Sequence, residues 1–124
     1  ASADWVARHG HPRTAQDAQG LDFIGADRNG RYLAYMLQHG LPLSAAQLRV
    51  LSENSVTSWM LVQQGLGIGV MMDEVARRTP GVVRVLDEVA PVRFPVWLVT
   101  HRELRTARRI RMVFDVLAAA LTPC

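Results

Sequence analysis

The chain contains no lysine: all fourteen basic residues are arginine, a usage that reads as the codon bias of a GC-rich genome. Its one cysteine, Cys124, is the last residue, and a lone thiol forms no internal disulfide, which fits a reducing cytoplasm. No apolar run approaches the roughly 20 residues that a membrane-spanning helix needs, and no basic-then-apolar leader opens the chain. The expectation is a cytoplasmic protein with no membrane partner. Catalytic signatures are missing too. There is no G-x-S-x-G elbow, no cysteine–histidine set and no pair of acids suited to a pocket, so the chain is not expected to be an enzyme. His9 and His11 are neighbours without a third ligand at useful spacing, and His39 and His101 stand alone, so no metal and no other cofactor is expected.

What is there fits one soluble α/β domain, since 124 residues fall within the commonest domain size of about 100 to 150. The net charge of +3 is concentrated. Arg102, Arg105, Arg108, Arg109 and Arg111 face only Glu103, giving that segment +4 and leaving the remainder at −1. The high isoelectric point therefore describes one site and not a generally basic surface. No internal repeat or low-complexity tract occurs.

Along the chain, short strands and helices alternate. A first helix is expected over 4–9, with Ser2 or Asp4 as cap and Gly10 as stop. A brief strand follows over 22–25, then a polar turn over 27–30 and an amphipathic helix over 32–39 ending at Gly40. Residues 48–51 read as a strand, and Asn54 or Ser55 can cap the helix carried by Val56, Met60, Leu61 and Gln64. Gly65 stops that helix in the left-handed conformation, Leu66 can supply the apolar contact of such a cap, and 67–71 re-enters the sheet. A helix near 73–78, a turn at 79–81 and a strand over 82–85 come next. Pro91 and Pro95 bracket an extended crossover, and 106–121 carries apolar residues at helical period, among them Ile110, Phe114 and Leu117.

Such alternation predicts an α/β sheet with parallel pairs, in which ligands sit beyond the carboxyl ends of strands. Two loops qualify: Ala26, Asp27, Arg28 and Asn29 after the first strand, and Glu53, Asn54 and Ser55 after the second. Free N–H groups and the positive dipole end of the helix starting at Ser55 favour an anionic group, to which Asn54 and Ser55 add donors. Asn54 and Ser55 read equally as caps, which is compatible with lining a cleft, and Asp27 and Arg28 read also as solvated turn residues. Arg28, with its planar fork, matches a carboxylate in two bonds. The glycines at 65, 67 and 69 close a helix and begin a strand, the reverse of a phosphate-cradling loop, so packing explains them. The arginine cluster opens a helix, where the dipole disfavours cations, and lacks interleaved aromatics; it reads as a solvated or subunit-facing surface more than as a DNA contact.

The segment Leu61-Val62-Gln63-Gln64-Gly65-Leu66-Gly67-Ile68-Gly69-Val70-Met71-Met72 resembles the Val-x-x-Gly-x-Gly-Ile-x-x-x-Pro pattern of LysR-type bacterial transcription regulators, with Met72 where the family often has proline. The run from Phe94 to Arg105, and the opening Ala1-Ser2-Ala3-Asp4-Trp5-Val6 followed by Pro12 and Asp22-Phe23-Ile24, resemble the same effector-binding domain. The resemblance implies a periplasmic-binding-protein-like α/β fold. Residues 1–91 would form its second subdomain, and 92–124 the return crossover, strand and C-terminal helix of the first. It implies a small, anionic effector held between two lobes, with Ala26, Asp27, Arg28, Asn54 and Ser55 on this lobe's side. Arg28 would suit the acidic or aromatic-acid effectors that many members sense. It further implies a homo-oligomer, dimer or tetramer, using helix 32–39 or 57–64, and DNA contact only through an N-terminal winged helix-turn-helix that this sequence does not include. A periplasmic-type solute-binding protein of the related two-lobed fold is the alternative, and a small enzyme a third.

Overall fold

The chain divides into two units, Ala1–Val92 and Arg93–Cys124, and the computed structural model describes residues 1–102 and 107–121. The first unit is built outward from residues 22–25, a stretch with hydrogen-bond partners on both edges. Strand β1 (Ile24–Gly25) runs parallel to β2 (Val50–Leu51), with Ile24 opposite Val50 and Gly25 opposite Leu51. On the other edge Phe23 forms a parallel bridge with Ile68. There the Ile24 N–H donates to the Ile68 carbonyl at 2.8 Å, and the Ile68 N–H to the Asp22 carbonyl at 2.9 Å.

Parallel neighbours need crossovers. The first is α2 (Arg31–Gln38) with a 3₁₀ turn (Ala45–Gln47), and the second is α3 (Ser55–Gln63); α1 (Ala3–His9) precedes these paired segments and α4 (Asp73–Arg77) follows them.

The helix ends follow the expected chemistry. The Ser2 hydroxyl accepts from the Trp5 N–H at 3.1 Å, and α1 ends at Gly10 with φ 85°. The Asn54 side chain accepts from the Thr57 N–H at 3.0 Å. At the other end of α3, Gly65 has φ 76°; its N–H donates to the Val62 carbonyl at 2.9 Å, and the Leu66 N–H to the Leu61 carbonyl at 3.2 Å. That pair of bonds is the double closure in which a left-handed glycine satisfies the last carbonyls of a helix. Leu66 itself stays exposed.

The core gathers Trp5, Ala18, Phe23, Met36, Leu41 and Ile68. Buried among them is a polar side chain with a full set of duties: Gln47 donates from Nε2 to the Ala18 carbonyl at 2.8 Å and the Leu21 carbonyl at 3.2 Å, while its Oε1 accepts from the Ser44 N–H at 3.0 Å. These bonds pin the loop before β1 to the turn before β2.

Two expected strands, 67–71 and 82–85, shrink to single bridges. Within 67–71 only Ile68 pairs; a methyl at Gly67 would meet the Asp22 carbonyl and one at Gly69 the Val62 side chain. Within 82–85 the pairing is one antiparallel bridge, Val82 with Ser2, beside which the Val83 N–H donates to the Ala1 carbonyl at 2.9 Å. The chain then turns at Leu86, buried at φ 60°, whose N–H donates to the Pro12 carbonyl at 2.7 Å. Left-handed backbone at a leucine stores about 1–3 kcal/mol and persists because the surrounding contacts hold it.

In the second unit no strand forms over 94–102, where Trp97 is 79% exposed and Val99 82%. A lone extended segment has no edge to pair with. Glu103, Leu104, Arg105 and Thr106, which close the run from Phe94 to Arg105 and begin the expected helix, lie outside the described residues, as does Cys124. Helix α5 (Arg108–Leu121) carries the expected apolar stripe, yet none of its residues is buried.

A methyl group at Gly67 would stand 2.7 Å from the Asp22 carbonyl oxygen, a backbone atom inside the bridge that joins residue 68 to β1. Gly67→Ala is expected to destabilise the fold by about 1–3 kcal/mol, the usual range for overpacking, read as a lowered urea midpoint with unchanged slope. An unchanged midpoint would mean that this contact yields freely.

Candidate functional site

Because β1 and β2 are parallel neighbours, the loops that leave them emerge on the same side. Loop 26–30 runs into α2 and loop 52–54 into α3. Between them lies a cavity of about 130 Å³. It is lined by Ile24 and Gly25 of β1 and by Gly69, by Ala26, Tyr32 and Glu53 of the loops and α2, and by Ser55, Ser58, Trp59 and Val62 of α3.

Of the five residues expected at a site, the structure brings Ala26 and Ser55 to this cavity, while Asp27, Arg28 and Asn54 are not among its lining residues. Asp27 caps α2: its Oδ2 accepts from the Tyr32 N–H at 2.9 Å. Asn29 assists, accepting from the Arg31 N–H at 3.1 Å. Asn54 is the N-cap of α3, in line with the capping reading. Arg28 is exposed, and among the described residues no carboxylate pairs with it. It therefore keeps the full reach of its guanidinium above the loop.

Ser55 and Val56 stand in the first turn of α3, where no preceding helical carbonyl exists to accept their N–H groups. The cap serves Thr57, and Ser58 donates to the Asn54 carbonyl at 2.9 Å. Two N–H groups and the positive end of a nine-residue helix thus favour an acceptor or anion at this end of the cavity.

Tyr32, Ser58 and Trp59 were not among the expected site residues. Ser55, Ser58, Trp59 and Val62 fall at i, i+3, i+4 and i+7, one face of a helix, so this wall was readable once Ser55 was placed at the first turn. The apolar residues Val56 and Met60 instead point outward, 67% and 58% exposed; they had marked the helix period, but not the buried side. The Trp59 indole N–H donates to the Thr79 hydroxyl at 3.1 Å, which donates on to the Val75 carbonyl at 2.7 Å, so the ring is held as a fixed wall.

Two polar atoms near this site are buried without a hydrogen-bond partner, Asp27 Oδ1 and the Tyr32 hydroxyl. Burial pushes the Tyr32 phenol up to about 12, so it keeps its proton at any physiological pH.

The second unit has a larger hollow, about 250 Å³, lined by Thr100, Ile110, Arg111, Phe114 and Asp115. It is larger but less site-like, because one helix with no buried residue and one extended segment supply its walls, whereas the smaller cavity has strand ends and a helix start converging on it. Among the described residues no group of three His, Cys, Asp or Glu side chains is placed to hold a metal ion, and no helix is long and apolar enough to cross a membrane.

The sequence profile of the LysR substrate binding domain matches residues 1–122. No curated protein and no solved structure matches the chain.

Capping and ligand contact separate by mutation. Asn54→Ala is expected to lower stability by about 1 kcal/mol, the usual effect of removing an N-cap side chain. Arg28→Ala, at an exposed and unpaired position, should stay within about 0.5 kcal/mol of the parent. Thermal unfolding of the two variants against the parent checks both; a large loss for Arg28→Ala would reveal a structural partner.

Proposed function

We propose that this chain, which belongs to the family of LysR substrate binding domains, is the ligand-sensing part of a bacterial LysR-type transcription regulator acting in the cytoplasm. The observation that carries this reading is the convergence of loop 26–30, loop 52–54 and the start of α3 on one cavity at the carboxyl ends of two parallel strands. That is where open α/β sheets bind ligands.

On this reading residues 1–91 are the second subdomain of a periplasmic-binding-protein-like effector domain, and 92–124 are the return crossover, strand and terminal helix of the first. The separation of the chain near Val92 supports that division, and so does the exposed stripe of α5, which suits a helix whose packing surface is the rest of the first subdomain. A small anionic metabolite sits between the lobes. Ser55 and Asn54 present the start of α3 to its charge, Ala26 lines the wall, Arg28 reaches its carboxylate, and Asp27 holds the loop that carries Arg28.

Sensing here is a population shift. A ligand that bridges two lobes favours the closed arrangement by its differential affinity, and the change is transmitted through subunit contacts to DNA-binding heads that lie outside this sequence. Exposed apolar residues on α3 (Val56, Met60) and α2 (Tyr35, Leu37) supply a face for a homodimer or tetramer.

Two experiments test this. The coding sequence upstream of Ala1 is expected to encode a winged helix-turn-helix followed by a first α/β half; a secretory leader, or a start codon at or near Ala1, would sink the regulator reading and favour solute binding. In sedimentation the 124-residue chain is expected to self-associate, because large apolar surface stays uncovered on α3 and α5. A monodisperse monomer that unfolds cooperatively would contradict this.

A further inference from the structure

Trp59, the bulkiest residue that α3 contributes to the cavity lining, is tied to a different element by a chain of hydrogen bonds whose direction is forced. An indole N–H only donates and a backbone carbonyl only accepts. The Thr79 hydroxyl does both: it accepts from the Trp59 Nε1–H at 3.1 Å and donates to the Val75 carbonyl of α4 at 2.7 Å. Trp59 and Thr79 are both half-buried, where a hydrogen bond meets less competition from water than on an open surface.

Both ends of this tie are firm. On the α3 side, Ser55, Ser58, Trp59 and Val62 share the face that lines the cavity, and that face is seated: Val62 is buried against Gly69, and the Ser58 hydroxyl donates to the Ser52 carbonyl at 3.1 Å. On the other side, the Thr79 N–H donates to the Ala76 carbonyl at 3.1 Å, and the Gly81 carbonyl accepts from the Ala3 N–H at 2.8 Å. Thr79 therefore stands on a segment pinned to α4 before it and to the start of α1 after it. A threonine just past a helix satisfies a late carbonyl of that helix without help, so the bond to Val75 asks nothing of Trp59. The bond from Trp59 is an addition, and it reaches from the cavity lining to a frame that α3 does not supply.

We propose that Thr79 is a positioning residue of the ligand site: it holds the Trp59 ring in one orientation before a ligand arrives, so that binding does not have to order it. The inference rests on the reading of the cavity as the effector site. Immobilising one side chain on binding costs affinity. Releasing the Trp59 ring from Thr79 transfers that cost to the binding step, and the dissociation constant rises by about two- to tenfold.

The test uses butyrate, a short aliphatic carboxylate with a charge for the start of α3 and an apolar tail for the lining, on the 124-residue chain. Nitrogen–proton NMR spectra follow the Ser55 amide and the Trp59 indole N–H. Thr79→Val keeps the shape of the side chain and removes the hydroxyl. It is expected to speed hydrogen exchange of the Trp59 indole by about tenfold, the upper end for one neutral hydrogen bond, and to weaken butyrate binding by about two- to tenfold. Thr79→Ser restores both. In a Trp59→Phe background, Thr79→Val has no further effect on butyrate affinity, whereas a hydroxyl that served α4 alone would give the same loss with or without the indole.

If butyrate shifts the Ser55 amide and Thr79→Val leaves its affinity unchanged, or weakens it equally in the Trp59→Phe background, Thr79 does not act through Trp59 and the effector-site reading stands. If butyrate shifts neither signal in the parent, the effector-site reading fails and the inference with it. Should Thr79→Val fail to fold, Trp59→Phe alone decides, because it keeps a ring and removes the donor: it is expected to weaken butyrate binding by the same factor, and an unchanged affinity overturns the inference.

Discussion

The whole first unit depends on the two-sided pairing of residues 22–25. One edge is taken by β2 and the Gln47 carbonyl, the other by Ile68. A strand that satisfies both edges within four residues must be short in side-chain bulk where its neighbours approach, and Gly25 and Gly67 meet that demand on opposite sides. A methyl at Gly25 would run into Leu51 and Leu48, and one at Gly67 into the Asp22 carbonyl. Because all three segments run parallel, their carboxyl ends share one side of the unit. The cavity follows from that direction rule and not from any single residue.

Around the cavity, groups that serve the fold are separate from groups that remain available. Asp27, Asn29 and Asn54 use their side chains to satisfy first-turn N–H groups of α2 and α3. Their work makes the loops stiff, so that Ala26, Tyr32 and Ser55 sit on a fixed frame. Positions that cap thus support the loops, and their neighbours line the cavity. Gln47 plays the corresponding part deeper in the fold. It ties the carbonyls of Ala18 and Leu21 to the turn before β2 and so sets the approach of the loop that leads into β1.

The apolar surface left uncovered is unevenly placed. Within the first unit it includes Val56 and Met60 on the outer side of α3 and Tyr35 and Leu37 on α2, while Ser55, Ser58 and Trp59 of α3 line the cavity. A helix that is apolar on both sides has two interfaces to satisfy, and a lone subunit supplies only one. The α5 helix carries its stripe with nothing buried at all. These uncovered faces are of the kind that association between subunits, or the remainder of a larger effector domain, would cover.

Much of this was legible in local chemistry. Ser2 and Gly10 bound the first helix, Asn54 and Gly65 bound the third, and the brief strands at 24–25 and 50–51 lie within the stretches their apolar residues mark. Capping and glycine stops act within four or five residues, so a sequence states them outright. The sequence also carried the family likeness that its profile match over residues 1–122 shows. Tertiary structure alone decided where pairing stops. Residues 82–85 have strand composition, but a strand exists only where another edge accepts its bonds, and here only Val82 and Val83 find such partners, on residues 1–3. It decided which side of α3 faces inward, since a helix whose apolar residues are spread around its axis has no preferred face until its neighbours are in place. It also decided that Tyr32, an ordinary aromatic in an amphipathic pattern, has a buried hydroxyl without a partner, because burial and hydrogen bonding depend on what surrounds an atom in space, which adjacency along the chain does not specify.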